Sequence, residues 1–411
     1  MDLQISQPFP LSSGLVLPNR LVKSALGECL SKDGLPNMAH NNTYATWADG
    51  GWGLVMTGSV LTDERYLSDA GDVYLIDDEA KMREAWKAWA KASKGAAGGS
   101  PTMVQICHAG RQSPLGAGKR GFFEKSIAPS ATPLQLGSGF LARLISALVF
   151  GTPREMTPDD IQDVVRRFAR TARIAAEAGF DGVEIHAAHG FLLAQFLSAK
   201  VNKRTDAYGG SPAKRARIVV EIIRAVREAA PKGFTVGVKL NSVDHQSESE
   251  LEDCIEQLQV ILDEGIDFLE VSGGSFENPE VSREVQAKSA RTKAREAFFL
   301  DFAKAIRGKF PTVPLLVTGG FRTRLGMEAA VAEGGCDLIG IGRPSVLNPL
   351  LPKTVVFNRE VKGEEAKLFA KRIEAPWLMR KMISPNVGAG TEVAWYTKKI
   401  SEMSNLGSHE I

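Results

Sequence analysis

Short apolar runs rich in β-branched residues recur along the chain, and stretches with helical spacing of apolar positions separate most of them. This alternation is typical of repeated βα units. Eight such runs can be counted, and eight parallel strands are the number that closes a TIM (β/α)8 barrel. The predicted strands are Leu21–Leu26, Gly53–Thr57, Thr102–Ile106, Gly182–His186, Thr235–Leu240, Phe268–Ser272, Leu315–Thr318 and Leu338–Gly340.

The intervening helices carry recognisable end signals. The stretch Thr157–Ala178 begins with an N-cap threonine, a proline at the first helical position and two acids in the first turn. Ser211 and Pro212 begin another helix in the same way, and Gly265 and Gly334 follow helical stretches at positions suited to a left-handed C-cap. An open doubly wound α/β sheet alternates in the same manner, so barrel closure rests on the strand count and on polar residues at the strand ends.

One domain is predicted over residues 1–411, with the barrel spanning about residues 19–349. Residues 111–156, between the third and fourth strands, exceed what one helix requires and are rich in glycine, proline and serine. Loops after barrel strands build active sites, so this extended loop is expected to cover the barrel mouth. Within it, Phe140–Phe150 suits a buried or lid helix better than a membrane anchor, and association with a membrane surface stays open. The βα rhythm stops near residue 349, which predicts a C-terminal extension over residues 350–411.

The composition narrows the class of partner. Fifty basic against 48 acidic residues leave a net charge of +2, so no overall field attracts nucleic acid or an anionic membrane, and a small molecule is the expected partner. No apolar stretch approaches the length of a membrane span. The N-terminus lacks a signal-peptide pattern, and four scattered cysteines fit a reducing compartment. The sequence therefore predicts a cytoplasmic protein.

Two motifs invite a misleading interpretation. Residues 116–121 match G-x-G-x-x-G, the dinucleotide fingerprint, but no buried strand precedes them, so a loop is predicted there. Glu184, His186 and His189 lie close enough together to share a zinc ion, with His108 and His245 as further ligands. No convincing third ligand follows from the spacing, and no metal is predicted.

The residues after the fourth strand are the most specific signal. G-V-E-I-H-A-A-H-G-F-L at residues 182–192, followed by R-T-D-A-Y-G-G-S at residues 204–211 and by Arg215, resembles the Old Yellow Enzyme family of flavin ene-reductases. The family order continues in Asn19 and Arg20, in Gln105 with H-A-G-R at residues 108–111, in T-G-G at residues 318–320 and in G-I-G-R at residues 340–343. These motifs span residues 19–343 and agree with the strand count.

The resemblance implies an FMN-dependent oxidoreductase with NADH or NADPH as reductant and no separate nucleotide-binding domain. Glycine backbone and Arg343 would hold the phosphate, Gln105 the pyrimidine edge of the ring, and Arg215, with Lys239 as second candidate, the negative charge of the reduced flavin. The FMN-binding residues implied are Ala25, Leu26, Gly27, Gly58, Gln105, Arg215, Gly319, Gly320, Gly342 and Arg343.

By the same resemblance, His186 and His189 donate hydrogen bonds to the carbonyl oxygen of an α,β-unsaturated substrate, and hydride reaches its β-carbon. Cys29 would line the substrate pocket beside the two histidines. Members of this family are often dimeric, so a homodimer stays open.

The sequence departs from the family at the proton donor. The usual tyrosine two residues after the second histidine is Phe191, and Gly27 and Cys29 replace a cysteine and a tyrosine of many bacterial relatives. Reduction with another acid (Cys29, Tyr66 and Tyr208 being candidates), double-bond isomerisation and oxidation, including NAD(P)H oxidase activity, all stay open. Two competing interpretations are an aldolase or hydrolase on the same barrel, using Lys239 or the histidine pair, and a non-catalytic flavin-binding protein.

Overall fold

The computed structural model describes residues 3–96, 98–137, 139–242, 248–274, 290–374 and 388–405. Its centre is a parallel sheet of eight strands, in which β8 pairs with β1 and β1 pairs with β2, so that the sheet closes into a barrel. The predicted fold class is confirmed. The strands are β1 Leu21–Lys23, β2 Leu54–Leu61, β3 Thr102–Cys107, β4 Gly182–Ala187, β5 Thr235–Asn241, β6 Phe268–Ser272, β7 Leu315–Thr318 and β8 Leu338–Ile341.

Helices surround this sheet. They are α1 Met38–Asp49, α2 Glu79–Ser93, α3 Phe140–Val149, α4 Pro158–Ala178, α5 Leu192–Leu197, α6 Pro212–Ala229, α7 Glu248–Leu262, α8 Ala290–Lys309, α9 Arg324–Ala332, α10 Pro344–Leu347 and α11 Gly388–Ser404. A hairpin of Phe9–Pro10 and Val16–Leu17 precedes β1, Val73–Tyr74 extends the sheet beside β2, and Ile127–Ala128 pairs with Arg154–Glu155.

The end signals read from the sequence act as predicted. Thr157 and Asp160 form a reciprocal capping box at the start of α4, and Gly179 ends that helix in the left-handed conformation with φ 96°. Gly265 and Gly334 also have positive φ, at 71° and 69°. A left-handed residue at the C-cap lets the last carbonyls of a helix find partners, and glycine adopts it without steric cost.

Two strand predictions were wrong in their extent. β1 ends at Lys23 instead of Leu26, although Ser24 N still donates to Ile341 O at 3.1 Å. β2 runs on to Leu61, because its pairing with β3 resumes after an irregularity between Met56 and Ser59. This bulge shifts the alternation of side chains and turns Ser59 toward the barrel interior, where it bonds Gln105.

The barrel interior is layered. Its lower layer is apolar, with Val22, Met56 and Phe268 among its members, and the N-terminal hairpin adds Leu11 and Leu17 to the same cluster. Two residues further along most strands, the inward positions become polar. We call this layer the polar belt; it consists of Ser24, Ser59, Gln105, Glu184, Lys239, Glu270 and Thr318, one from each of the strands or strand ends β1 to β7.

On the eighth strand the corresponding position is Gly340. A Cβ atom there would lie 1.8 Å from Thr318 Oγ1 and 2.6 Å from Ser24 Oγ. Two neighbouring hydroxyls of the polar belt therefore fill the space that a larger residue would need.

We expect Gly340→Ala to lower the free energy of unfolding by about 1–3 kcal/mol, since the added methyl group overpacks a rigid interior. Urea denaturation followed by circular dichroism measures the change. Gly308→Ala in α8 is the matched control, because a Cβ at Gly308 meets no atom within 4 Å and alanine favours a helix over glycine. Equal stability of Gly340→Ala and the unaltered protein would contradict the packing argument.

Candidate active site

Hydrogen bonds link neighbouring members of the polar belt. Ser59 Oγ donates to Gln105 Oε1 at 2.7 Å, and Gln105 Nε2 donates to Glu184 Oε2 at 2.5 Å. On the opposite side of the barrel, Ser24 Oγ and Thr318 Oγ1 lie 3.1 Å apart. These contacts fix the orientation of the Gln105 amide, which keeps one N–H and one carbonyl lone pair for a further partner.

Lys239 is the buried cation of the polar belt. Its Nζ lies 2.7 Å from Glu270 Oε1, and both side chains are almost fully excluded from solvent. Burial acts to lower the pKa of Lys239, but the charges of Glu270 and Glu184 outweigh it, and the pKa is raised. Burial and the neighbouring Glu270 raise the pKa of Glu184 well above its usual range. The belt thus contains a buried Lys239–Glu270 ion pair beside Glu184, where burial favours the protonated carboxyl group.

His186 and His189 stand at the end of β4, above the polar belt. Ala188 N donates to His186 Nδ1 at 3.2 Å, so that this nitrogen carries no proton and the neutral ring carries its proton on Nε2. His186 Nε2 lies 3.2 Å from His189 Nδ1, and His189 Nε2 lies 3.3 Å from Ser272 Oγ. A single backbone donor therefore sets the tautomer of both rings, and each presents an Nε2–H.

Both imidazoles are held neutral. Burial lowers the pKa of His186 well below its usual range, and the nearby His189 and Lys239 act in the same direction. Burial, followed by the charge of Lys239, lowers the pKa of His189 to about 3. At neutral pH the pair can donate hydrogen bonds but is not a store of acidic protons.

Phe191 lies directly beside this pair. Its ring centroid is 4.9 Å from that of His186 in an edge-on arrangement. It packs against an apolar cluster at the barrel mouth that includes Leu61, Leu67 and Cys107. The phenyl ring gives the site an apolar wall and no proton donor.

The segment that follows β1 lies close to Gly58 of β2 and to Gly342 after β8, as expected if all three contact one cofactor. A Cβ on Gly58 would lie 2.4 Å from Leu26 O, and a Cβ on Gly342 would lie 3.6 Å from Leu26 Cδ2. Gly58 N donates to Glu28 Oε1 at 2.9 Å and contacts Tyr44 Oη at the same distance. The sequence analysis missed Glu28; an acid directly after a strand end is the signal that could have identified it.

Glycine backbone and an arginine lie after β7 and β8. Gly319 and Gly320 have φ values of 122° and 89°, which other residues rarely adopt. The guanidinium of Arg343 forms an ion pair with Glu392 of α11, and Ile373 N donates to the second oxygen of Glu392 at 3.3 Å. The C-terminal extension thus places a carboxylate on the arginine expected to bind phosphate.

Arg215, the first candidate for the cation beside the reduced flavin, lies on a helix. It is buried at the start of α6, where its guanidinium donates to Leu197 O at 2.9 Å, to Gly210 O and to Asp253 Oδ2 at 2.5 Å. These contacts tie α6 to the segments that surround it. Lys239, the second candidate, is the cation that lies inside the barrel. The assignment of Arg215 to the flavin stays a prediction, and so does that of Lys239.

The proposed substitute acids are dispersed. Tyr208 Oη donates to Glu221 Oε2 at 2.9 Å on the outer helices. Tyr66 packs on His108, with 5.2 Å between ring centroids. Burial and the carboxylates of Asp69 and Asp72 raise the pKa of Cys29, so its thiol holds its proton. Tyr208 is therefore excluded as a proton donor at the histidine pair.

The remaining motifs play no part in this site. The glycine-rich residues 116–121 form turns, as predicted. Within the described residues no three His, Cys, Asp or Glu side chains are arranged to hold a metal ion, and His245 lies outside those residues. Burial lowers the pKa of His108 to about 4, and its Nδ1 accepts from Gly110 N at 3.0 Å.

These residues fit FMN. Gln105 retains hydrogen-bonding capacity beside a buried cation, and the paired glycines and Arg343 supply backbone and guanidinium donors for a phosphate. None of the helices in the described part of the chain is long and apolar enough to cross a membrane.

Comparisons with known proteins agree with this geometry. The sequence profile of the NADH:flavin oxidoreductase / NADH oxidase family matches residues 4–362. The chain is 50% identical over 414 residues to the NADH-dependent flavin oxidoreductase iccE of Talaromyces variabilis, with 99% of both chains covered. It is 54% identical over 397 residues to the NADH-dependent flavin oxidoreductase iliE of Neonectria sp. (strain DH2), covering 93% of this chain but only 51% of that protein. The chain thus spans about half the length of that relative.

A structural comparison supports the fold. The old yellow enzyme homologue from Zymomonas mobilis matches with a TM-score of 0.69 and 23% identity, covering 85% of this chain and 91% of that one. The resemblance read from the sequence motifs is confirmed.

We expect His186 and His189 to stay neutral throughout the range from about pH 8 to about pH 5. Because the unfolded chain binds protons below its histidine pKa of about 6.5 and the folded site does not, the free energy of unfolding should fall as pH decreases through that value. Urea denaturation at about pH 7 and about pH 5 measures the difference. His189→Asn should reduce this pH dependence, and asparagine tolerates the positive φ at this position. Imidazole nitrogen signals that titrate near 6.5 in the folded protein would contradict the expectation.

We expect Glu392→Gln to tighten FMN binding by about two- to fivefold, since the carboxylate competes with the phosphate for Arg343. Quenching of flavin fluorescence measures the dissociation constant. Riboflavin, which lacks the phosphate, should bind both proteins equally. Glu402→Gln on the same helix is the control, because Glu402 pairs instead with Lys399 at 2.6 Å. Weaker FMN binding to Glu392→Gln would show that the carboxylate orients Arg343 instead of competing for it.

Proposed function

Because the chain belongs to the NADH:flavin oxidoreductase / NADH oxidase family, we propose that it passes hydride from NADH, by way of FMN, to the β-carbon of an α,β-unsaturated carbonyl compound. The observation that carries this proposal is the pair of neutral imidazoles, His186 and His189, with tautomers set by the Ala188 backbone. NADH is proposed as the reductant because the relatives with half of their residues identical are described as NADH-dependent.

The two histidines act as hydrogen-bond donors in this proposal. Each carries an Nε2–H, so a substrate carbonyl oxygen can accept from both in place of their present partners. Drawing electron density toward that oxygen makes the conjugated β-carbon electrophilic. Because both rings are held neutral, their donor role does not change with pH near neutrality.

The polar belt acts on the cofactor. When bound, FMN takes hydride from the reduced nicotinamide and delivers it to the substrate. Lys239 supplies the buried positive charge that favours the negatively charged reduced ring, and Gln105 offers an amide to its pyrimidine edge. The residues that would bind the phosphate are Gly319, Gly320, Gly342 and Arg343. Those that would contact the edge of the flavin ring are Ala25, Leu26, Gly27 and Gly58.

Phe191 favours a second candidate function. A proton must reach the substrate α-carbon for net reduction, and the residue beside His186 is a phenyl ring. If that proton arrives slowly, the enolate formed by hydride addition could rotate about its Cα–Cβ bond and give a hydride back, so that the double bond would form again with inverted geometry and without net reduction. Isomerisation on the same residues is therefore the alternative, and a flavin protein without turnover is the third.

An anaerobic visible spectrum of the purified protein with FMN tests the proposal. NADH should bleach the flavin absorbance, and cyclohexenone should restore it. Bleaching without recovery on addition of enone would leave an NADH:flavin oxidoreductase and favour isomerisation or another acceptor. A protein that remains colourless after reconstitution with FMN would overturn the proposal.

We expect Phe191→Tyr to raise the rate of enone reduction by about tenfold or more, because a positioned general acid contributes strongly to proton transfer. Steady-state turnover and the ratio of reduced to isomerised product measure the effect. Phe191→Leu is the control, since it changes the same apolar wall without adding a hydroxyl group. Unchanged rates and product ratios in Phe191→Tyr would show that the missing acid is immaterial.

A further inference from the structure

Exposed apolar side chains concentrate in the loop between β3 and α4. In the described part of the chain, eleven large apolar side chains are exposed, and six of them fall between residues 122 and 149. Single exposed apolar residues are common on protein surfaces, but a concentration within one segment marks an interaction surface. The six are Phe122, Phe123, Phe140, Leu144, Leu148 and Val149.

One face of α3 packs against the rest of the protein, which leaves the opposite, apolar face exposed. Ala142 and Ser146 are buried, Ser146 Oγ accepts from Leu136 N at 3.0 Å, and Val149 O accepts from Leu115 N at 2.7 Å. Phe140, Leu144 and Leu148 are four residues apart and share the outward face, with exposed fractions of 83%, 43% and 67%. The helix is therefore held with its small, polar side inward and its apolar side outward.

Exposed cations flank this surface. Between Lys119 and Pro153 the sequence contains four basic residues and a single acid, Glu124. Of the four, Arg120 is buried and Lys119 pairs with Glu64 at 2.9 Å. Lys125 and Arg143 are exposed, and Arg143 lies on α3 itself, so that the exposed charge consists of two cations against Glu124.

We propose that α3 and the Phe122–Phe123 pair form a docking surface for an anionic lipid bilayer. A helix of 10 residues is too short to span a bilayer but suits the interface, where apolar side chains enter the acyl region and neighbouring cations meet lipid phosphates. A lipid surface explains the apolar face and the basic excess together. Contact with a second copy of this basic segment would bring like charges together.

The docking surface stands next to the barrel mouth. Ala117, in the segment just before it, packs against the same apolar cluster as Phe191. Docking would therefore hold the active-site end of the barrel close to the bilayer.

Flotation with vesicles tests this inference and does not depend on the enzymatic activity. The protein should float with vesicles of mixed phosphatidylcholine and phosphatidylserine, less with phosphatidylcholine alone, and less at high salt. Leu144→Ser combined with Leu148→Ser should weaken binding about tenfold or more, because two exposed leucines supply much of the apolar area that enters the bilayer. Arg143→Gln should weaken binding to the anionic vesicles alone.

Leu325→Ser combined with Phe369→Ser is the matched control, since these side chains are 54% and 69% exposed outside this surface. The control should float like the unaltered protein, and thermal unfolding should confirm that every variant folds. Failure of the unaltered protein to float, or equal flotation of the α3 variant, would overturn the inference. A dimer in solution that the α3 substitutions dissociate would also overturn it, by assigning the face to a second copy.

Discussion

The polar belt inside the barrel is the constraint on which the site depends. Seven strands place a polar side chain at one depth, where water is excluded and an unpaired charge costs several kcal/mol. The belt meets this demand by pairing Lys239 with Glu270, and burial raises the pKa of Glu184, which opposes a second buried charge. Gly340, at the eighth position, supplies the space in which the hydroxyls of Ser24 and Thr318 meet.

Burial and the charge of Lys239 together affect the histidines at the strand end. Burial first, and Lys239 second, keep His189 neutral, and the Ala188 backbone fixes the tautomer of His186. In the proposed function the same cation favours a reduced flavin, while the histidines act as donors instead of acids. This division of roles is why the residue at position 191 matters, since the proton has to come from somewhere other than the imidazoles.

At the rim of the barrel, two carboxylates of the protein accept hydrogen bonds from groups that are expected to bind the cofactor. Glu28 accepts from Gly58 N, and Glu392 pairs with Arg343. Binding a phosphate there would exchange one anion for another, so that affinity depends on the difference between two interactions. Helix α11 lies outside the barrel sheet, but through Glu392 it would affect the affinity of Arg343 for the phosphate.

The sequence alone determined the eight strands, the helix caps and the family, because apolar periodicity, capping residues and motif order are local signals. It also identified the histidine pair and the glycines after β7 and β8. Only the tertiary structure paired Lys239 with Glu270, brought Ser272 to His189, and placed Glu392 on Arg343. Closure of the sheet and the bulge before Ser59 bring residues distant in sequence to one depth, and spacing along a chain does not encode such contacts.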